Sequence, residues 1–229
     1  MLVSLYSIAG GGRRRATLPL TGTGPDAEVC AAKTSFDSLP VTGHRGRGER
    51  TSGNSVRRMA NTWTRQELEE AYQRWFATIN RAGSGEGSWR DFLELFTDDV
   101  IYHEQMAGEL KGKEGIWAWA EPSLATFPGS HTESFPEYWH VIDETNGTIV
   151  ARLDNVMSDP GDGGRFGAPH ISVLTYAGDG KFSQQRDVYD VTSFLDLIKA
   201  WGRRAMELGT FDDEQRAWFA QVYPETVPD

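Results

Sequence analysis

The feature that most constrains the fold of this chain is a change in the spacing of its apolar residues. Between residues 64 and 83 they recur every three or four positions, as on one face of a helix, at Leu68, Ala71, Tyr72, Trp75, Phe76 and Ile79. From residue 131 the chain becomes rich in aromatic and β-branched residues, interrupted by the turn signals Asn146-Gly147 and Gly178-Asp179-Gly180. Helical spacing returns at residues 193–208. Helices, then a run of strands, then a closing helix predict an α+β domain.

The same patterns predict the order of the elements. Thr64 and Glu67 form a capping-box pattern at the start of the first helix, and further helices are expected near residues 88–96 and 113–127. A short strand is expected at residues 100–105, and longer strands at residues 131–143, 148–157, 169–177 and 181–189. We expect this curved, mostly antiparallel sheet to wrap around the helices as an α+β barrel. Such a barrel leaves a conical apolar cavity for a ligand.

Charge and aromatic content divide the chain near Met59. Residues 1–58 contain nine basic and four acidic residues, a net charge of +5, so residues 59–229 carry −15 of the total of −10. The first segment has only Tyr6 and Phe36 as aromatic residues and shows no apolar periodicity, which is typical of disorder. We expect a disordered extension at residues 1–58, with Met59 as an alternative natural start. A folded domain is expected at residues 59–210, and a tail with a short helix at residues 211–229.

Composition excludes several classes of function. The acidic body lacks the basic patch of a nucleic-acid-binding protein, and no stretch approaches the ~18 consecutive apolar residues of a membrane span. A single cysteine, Cys30, excludes an internal disulfide framework. The five histidines show no metal-ligand spacing, so we expect no metal and no cofactor. These observations predict a cytoplasmic protein that acts on a small molecule, without a nucleic-acid or membrane partner.

Two short motifs resemble a known family. Phe96-Thr97-Asp98-Asp99-Val100-Ile101-Tyr102 is similar to the opening motif of the SnoaL-like group, which belongs to the nuclear transport factor 2-like superfamily of cystatin-like α+β folds. The segments 178–181 and 185–190 resemble the end of that domain. The resemblance spans about residues 64–205, and it implies the fold and a homodimer built on the outer face of the sheet. It leaves the function open, because this fold hosts cyclases, isomerases, dehydratases, hydrolases and binding proteins.

Within the superfamily, the closest chemical pattern is that of limonene-epoxide hydrolase. Arg152-Leu153-Asp154 and Arg186-Asp187-Val188-Tyr189-Asp190 resemble two of its strand motifs. Tyr102-His103-Glu104 resembles a third, but with Glu104 where the family has asparagine. The resemblance implies that Asp187 activates a water molecule held by Tyr102 and residue 104. It also implies that Asp154 is the acid and that Arg152 bridges the two aspartates.

Strand alternation gives a prediction that does not depend on the family. Arg152 and Asp154 share one face of their strand, as do Tyr102 and Glu104, while Asp187 shares a face with Gln185 and Tyr189. If these faces line one cavity, a single arginine meets three carboxylates, which could supply both the base and the acid for epoxide opening. The competing interpretation is that Arg152 and Asp154 form a surface pair worth under about 1 kcal/mol.

Four further residues are candidates for the site. His170 follows the Gly-rich loop and is a candidate acid or base at the cavity mouth. Trp117, Trp139 and Phe127 are candidates to bind an apolar substrate, with the core or a dimer interface as the alternative. The leading prediction is epoxide hydrolysis or a related acid/base reaction. The alternatives are a polyketide cyclase, a ketosteroid-isomerase-like isomerase or a dehydratase, and a non-catalytic ligand-binding or assembly domain.

Overall fold

A computed structural model of the chain describes residues 63–226. The predicted extension at residues 1–58, the alternative start at Met59 and the single cysteine Cys30 lie outside the described residues. Within the described part, no helix combines the length and the apolar character that crossing a membrane requires.

Local capping explains where the first two helices begin. Helix α1 spans Arg65–Gly83, and the side chain of Thr64 accepts a hydrogen bond from the backbone N–H of Glu67, at 3.2 Å. Helix α2 spans Trp89–Leu93 after Ser88, which caps it in the same way. The apolar face predicted for α1 is confirmed, because its helically spaced residues Leu68, Ala71, Tyr72, Trp75 and Ile79 are buried.

Seven strands form one mixed sheet. They are β1 (Phe96–Glu104), β2 (Gly108–Lys111), β3 (Thr132–Ser134), β4 (Glu137–Asp143), β5 (Thr148–Met157), β6 (Gly167–Gly178) and β7 (Lys181–Tyr189). Their order is β2-β1-β7-β6-β5-β3, with β4 also paired to β5, and every pair is antiparallel except β1 with β7. The predicted α+β class and curved, mostly antiparallel sheet are confirmed. The predicted barrel is wrong in one respect, because the sheet formed by residues 63–226 does not close.

Three more helices complete the domain. Helix α3 spans Gly112–Ala125 and contains Pro122, while α4 spans Val191–Leu208 and begins after Asp190, whose side chain accepts from the N–H of Ser193. Helix α5 spans Asp213–Val222. Its Phe219 is fully buried, and a Cβ placed on Gly202 of α4 would lie only 2.1 Å from the Phe219 ring. The predicted tail is therefore partly a helix packed closely on α4.

The sheet has an inner face that is buried and an outer face that is partly exposed. On β6 the residues Ala168, His170, Ser172 and Leu174 are buried, whereas Ile171 between them is partly exposed. Leu174 belongs to an apolar cluster under α1, and Ala168 belongs to a second cluster with α4 and α5. The two polar residues of the inner face, His170 and Ser172, thus lie between two apolar clusters.

A chain of hydrogen bonds joins α1 to β4. The hydroxyl of Tyr72 donates to Glu137 Oε2 at 2.7 Å, and the ring nitrogens of His140 lie 2.8 Å from Glu137 Oε1 and 3.1 Å from Glu69 Oε2. Carboxylate oxygens accept hydrogen bonds, so both ring nitrogens donate when the ring is protonated. Burial lowers the pKa of His140, but its hydrogen bonds to the two carboxylates outweigh burial and raise the pKa above its ordinary value.

Candidate active site

Asp187 is the best-supported carboxylate of the inner face. It lies on β7 with 1% of its surface exposed. Its Oδ1 accepts a hydrogen bond from the hydroxyl of Ser172 at 2.6 Å, and its Oδ2 accepts one from the hydroxyl of Tyr102 at 2.5 Å. The side-chain amide of Gln185 lies 3.1 and 3.2 Å from the two oxygens. Three neutral donors therefore surround this buried carboxyl group.

Tyr102 supplies the shortest of these contacts. It lies on β1, the strand parallel to β7, and its hydroxyl contacts Asp187 directly, whereas the family resemblance assigned it to a water molecule beside Asp187. Burial, followed by the charges of Asp187 and Glu104, raises the pKa of Tyr102 well above its ordinary value. Its phenol therefore stays protonated and donates. The indole of Trp119 packs edge-on against Tyr102, with 5.9 Å between ring centroids.

Glu104 forms a second buried carboxylate–tyrosine pair. Its Oε1 accepts from the hydroxyl of Tyr189 at 2.5 Å, while its Oε2 accepts from the backbone N–H groups of Met106 and Ala107, both at 2.7 Å. Burial raises the pKa of Glu104 despite these hydrogen bonds. Since one oxygen holds the turn between β1 and β2, Glu104 has a structural task besides any chemical one.

His170 presents a buried N–H that has no acceptor in the part of the chain that the structure describes. The amide nitrogen of Asn155 lies 3.0 Å from His170 Nδ1, and an amide nitrogen only donates, so Nδ1 accepts and the proton of the neutral ring resides on Nε2. Burial lowers the pKa of His170, which keeps the ring neutral. Nε2 is buried and has no hydrogen-bond partner within the described chain. His170 is therefore suited to donate to a ligand oxygen, and this tautomer does not suit the predicted alternative role as a base.

The sheet register places the donor close to the carboxylate. Ser172 pairs with Asp187 across β6 and β7, and His170 pairs with Tyr189. Asp187 and His170 are therefore diagonal neighbours on one face, with Cα atoms about 7–8 Å apart.

Arg152 and Asp154 do not belong to this group, so the predicted bridge is wrong. On β5, Ala151 and Leu153 are the residues in line with Ser172 and His170. Arg152 and Asp154 share a face as predicted, but it is the outer face. There Arg152 lies over the ring of Tyr138, and its guanidinium nitrogen is 3.8 Å from Asp154. Arg152 therefore does not join Asp154 to Asp187, because the two aspartates lie on opposite faces of the sheet.

The three predicted substrate-binding aromatics lie in three different places. Trp139 is exposed on the outer face, in register with Arg152. Phe127 is buried in the second apolar cluster, in contact with Trp201 and Phe219. Trp117 packs at the edge of the first cluster with the guanidinium of Arg90 over its ring, 4.1 Å from the centroid. Trp139 and Phe127 therefore do not line the face that carries Asp187.

Several residues of the site were not predicted from the sequence. Ser172 and Asn155 hold Asp187 and His170, and Trp75 donates its indole N–H to Gln185 Oε1 at 3.1 Å. The alternation of β6 could have indicated Ser172, because it lies two residues from His170. Trp75 is 110 residues from Gln185, so no local signal joins them.

The described residues offer no obvious metal site. Among residues 63–226, no group of three or more histidine, cysteine, aspartate or glutamate side chains is arranged to hold a metal ion. The polar groups of the inner face are arranged instead as donors around carboxylates, which suits proton transfer and the binding of an oxygen atom.

Comparison with known proteins agrees with this fold. Residues 72–185 match the SnoaL-like domain family. This is the family that the motifs in β1 and β7 resemble. No curated protein matches the chain.

Solved structures with low sequence identity also resemble the domain. Bal32a, from a soil-derived mobile gene cassette, is 19% identical over 58% of this chain and 96% of its own, with a TM-score of 0.43. A protein of ketosteroid isomerase-like fold from Catenulispora acidiphila, in complex with trimethylamine, is 18% identical over 56% and 91%, with a TM-score of 0.43. The epoxide hydrolase/cyclase-like enzyme SalBIII is 15% identical over 56% and 94%, with a TM-score of 0.43. These similarities do not assign an activity.

Proposed function

We propose that this domain is an enzyme that moves a proton next to a carbonyl group of an apolar small molecule. The observation that carries the proposal is the pairing of a buried, donor-rich carboxylate with a buried N–H that has no acceptor among residues 63–226, on one face of one sheet. Asp187 is the base and His170 Nε2 is the donor to the carbonyl oxygen. This is the chemistry of isomerases and aldol-type cyclases.

The reaction step follows from the positions of the two groups. Asp187 takes the proton from the carbon, the electron pair of the C–H bond forms a C=C bond, and the carbonyl oxygen gains the negative charge. The N–H of His170 stabilises that oxygen, and a prearranged donor of this kind contributes about 10²–10³-fold in rate. Asp187 then returns its proton to another carbon of the enolate, or the enolate attacks a second carbonyl and the alkoxide formed there takes that proton.

The surroundings favour an apolar substrate with few oxygen atoms. Along β6, Leu174 and Ala168 flank the polar pair Ser172 and His170 and belong to the two apolar clusters. A ligand lying on this strip contacts apolar surface at both ends and polar groups only in the middle. Binding sites of this composition orient apolar molecules by a small number of polar contacts.

Epoxide hydrolysis is the second candidate function. The contact between Tyr102 and Asp187 favours it, because the family resemblance assigns these two residues to the activated water. The acid that the same resemblance assigns, Asp154, lies on the outer face together with Arg152. The oxygen of an opened epoxide would therefore depend on His170 for a hydrogen bond, which makes this reaction the weaker proposal.

Isotope exchange distinguishes the two reactions. The protein is incubated in D₂O with a panel of apolar enolisable ketones, and deuterium incorporation is followed by ¹H NMR, while a panel of epoxides is assayed for diol formation. We expect deuterium incorporation by the wild type and its loss in Asp187→Asn. Diol formation that depends on Asp187 would support the second candidate instead. Binding of the ketones without either reaction would contradict both proposals and indicate a non-catalytic binding domain.

A further inference from the structure

We propose that Gln185 is a positioning residue that keeps Asp187 ionised, and that Trp75 holds the Gln185 amide in the orientation this requires. The inference rests on Asp187 being the base of the proposed reaction. It concerns three side chains joined by hydrogen bonds: Trp75 on helix α1, and Gln185 and the reacting Asp187 on β7.

The hydrogen bonds that join these three side chains are all buried. Trp75, Gln185 and Asp187 are each at most 1% exposed. The indole N–H of Trp75 donates to Gln185 Oε1 at 3.1 Å, and Gln185 Nε2 lies within 3.2 Å of both oxygens of Asp187. Water does not compete for these hydrogen bonds, so the side chains themselves decide which atom of the amide faces the carboxylate.

Trp75 determines that choice. An indole nitrogen is a donor and cannot accept, so the atom of Gln185 that faces it must be the amide oxygen. The amide nitrogen must then point towards Asp187. If the amide turned over, two donors would face each other at Trp75 and two acceptors would face each other at Asp187, each pair without a hydrogen bond.

Gln185 differs from the other two partners of Asp187 in one respect. The hydroxyls of Ser172 and Tyr102 can donate to an ionised carboxylate or rotate to accept from a protonated one. The amide nitrogen of Gln185 can only donate, and it donates to both oxygens. Protonation of either oxygen of Asp187 therefore weakens a contact with Gln185, which makes the amide selective for the ionised base.

Replacing the amide by a carboxyl group of the same shape reverses this selectivity. In Gln185→Glu one oxygen still accepts from Trp75, and the other faces Asp187. Two carboxylates in direct contact cannot both be ionised at neutral pH, so the pair holds one proton. Asp187 then shares that proton and loses its function as a base at pH values where the wild type is active.

The experiment measures the titration of Asp187 by NMR in protein labelled with ¹³C at the aspartate carboxyl carbons, with Asp187→Asn used to assign the resonance. We expect the titration midpoint in Gln185→Glu to lie about 1–3 pH units above that of the wild type. The matched control is Gln184→Glu, which adds the same charge at the adjacent, exposed position. Its midpoint should stay within a few tenths of a pH unit, because an exposed charge is screened by solvent.

Two further variants provide a result if Gln185→Glu does not fold. Gln185→Met removes the donor without adding a charge, and Trp75→Phe removes the N–H that orients the amide. Both should move the midpoint upwards by less than Gln185→Glu does. Native near-UV circular dichroism shows which variants are folded.

The possible outcomes separate this inference from the proposed function. An unchanged midpoint in folded Gln185→Glu or Gln185→Met would overturn the role of Gln185. A raised midpoint in a protein that exchanges no ketone proton would support the positioning role while removing the proposed reaction. Parallel upward shifts of the NMR midpoint and of the acid limb of the pH–rate profile would support both.

Discussion

The inner and outer faces of the same sheet carry similar side chains in different surroundings. On the inner face, Asp187 is 1% exposed and accepts hydrogen bonds from three neutral donors. On the outer face, Asp154 accepts one hydrogen bond, from Tyr138, and has the arginine nitrogens of Arg152 and Arg165 at 3.8 and 3.7 Å. Both aspartates match motifs of one family. Only the face of the strand determines which of them can act on an enclosed substrate.

A large difference between the faces is expected for two histidines. His170→Phe removes the Nε2–H donor of the inner face, and we expect the rate of proton exchange to fall by about 10²–10³-fold. His103→Phe changes a partly exposed histidine that faces Glu109 at 3.7 Å. That control should stay within threefold of the wild type. Equal losses in the two variants, measured by the same NMR exchange assay, would contradict the assignment of the donor to His170.

A smaller effect is expected on self-association through the outer face. Tyr138, Trp139, Val141 and Val188 are the large apolar residues exposed among residues 63–226, and all of them lie on β4 and β7. We propose that a second copy of the chain covers this face, as in a homodimer. Trp139→Lys should weaken dimerisation by tenfold or more in sedimentation equilibrium, whereas Asp98→Lys on exposed surface elsewhere should not. A monomeric wild type at high concentration would contradict the proposal.

The smallest expected effect concerns pH and the link between α1 and β4. The pKa of His140 is raised in the folded state, so the charged ring contributes stability at pH values below its unfolded pKa of about 6.5, and this contribution disappears as the pH rises through the folded pKa. His140→Gln should therefore destabilise the protein by under about 1 kcal/mol at pH 6 and by less at pH 9. Urea unfolding at both pH values measures the loss of unfolding free energy in His140→Gln. A larger loss at pH 9 than at pH 6 would contradict a stabilising charge on His140.

The sequence predicted the strands well because their signals are local. The bounds predicted for β5 and β7 are confirmed at residues 148–157 and 181–189. The turns at Asn146-Gly147 and Gly178-Asp179-Gly180 define where these strands begin. The region 131–143 is two strands, because Phe135 and Pro136 interrupt the pairing with β5. Strand β2, only four residues long, was not predicted.

Which face of β5 is buried could not be predicted from the sequence, because both faces contain apolar residues. Val150 and Val156 accompany Arg152 and Asp154, which suggests a buried row, but Ile149, Ala151 and Leu153 form the row that is buried against α1. Alternation establishes which residues lie together and leaves open which side faces the core. That choice depends on contacts with α1, more than 60 residues away in the sequence, and on pairing with β6.

The most direct test of this account is the rate of deuterium exchange into one reactive ketone by Asp187→Asn and Asp154→Asn, measured side by side at one pH. Both variants remove one carboxylate from the same sheet and keep the size of the side chain. The account predicts a loss of about 10²–10⁴-fold in Asp187→Asn and a change within threefold in Asp154→Asn. A loss of similar size in folded Asp154→Asn would contradict the conclusion that the inner face alone carries the site.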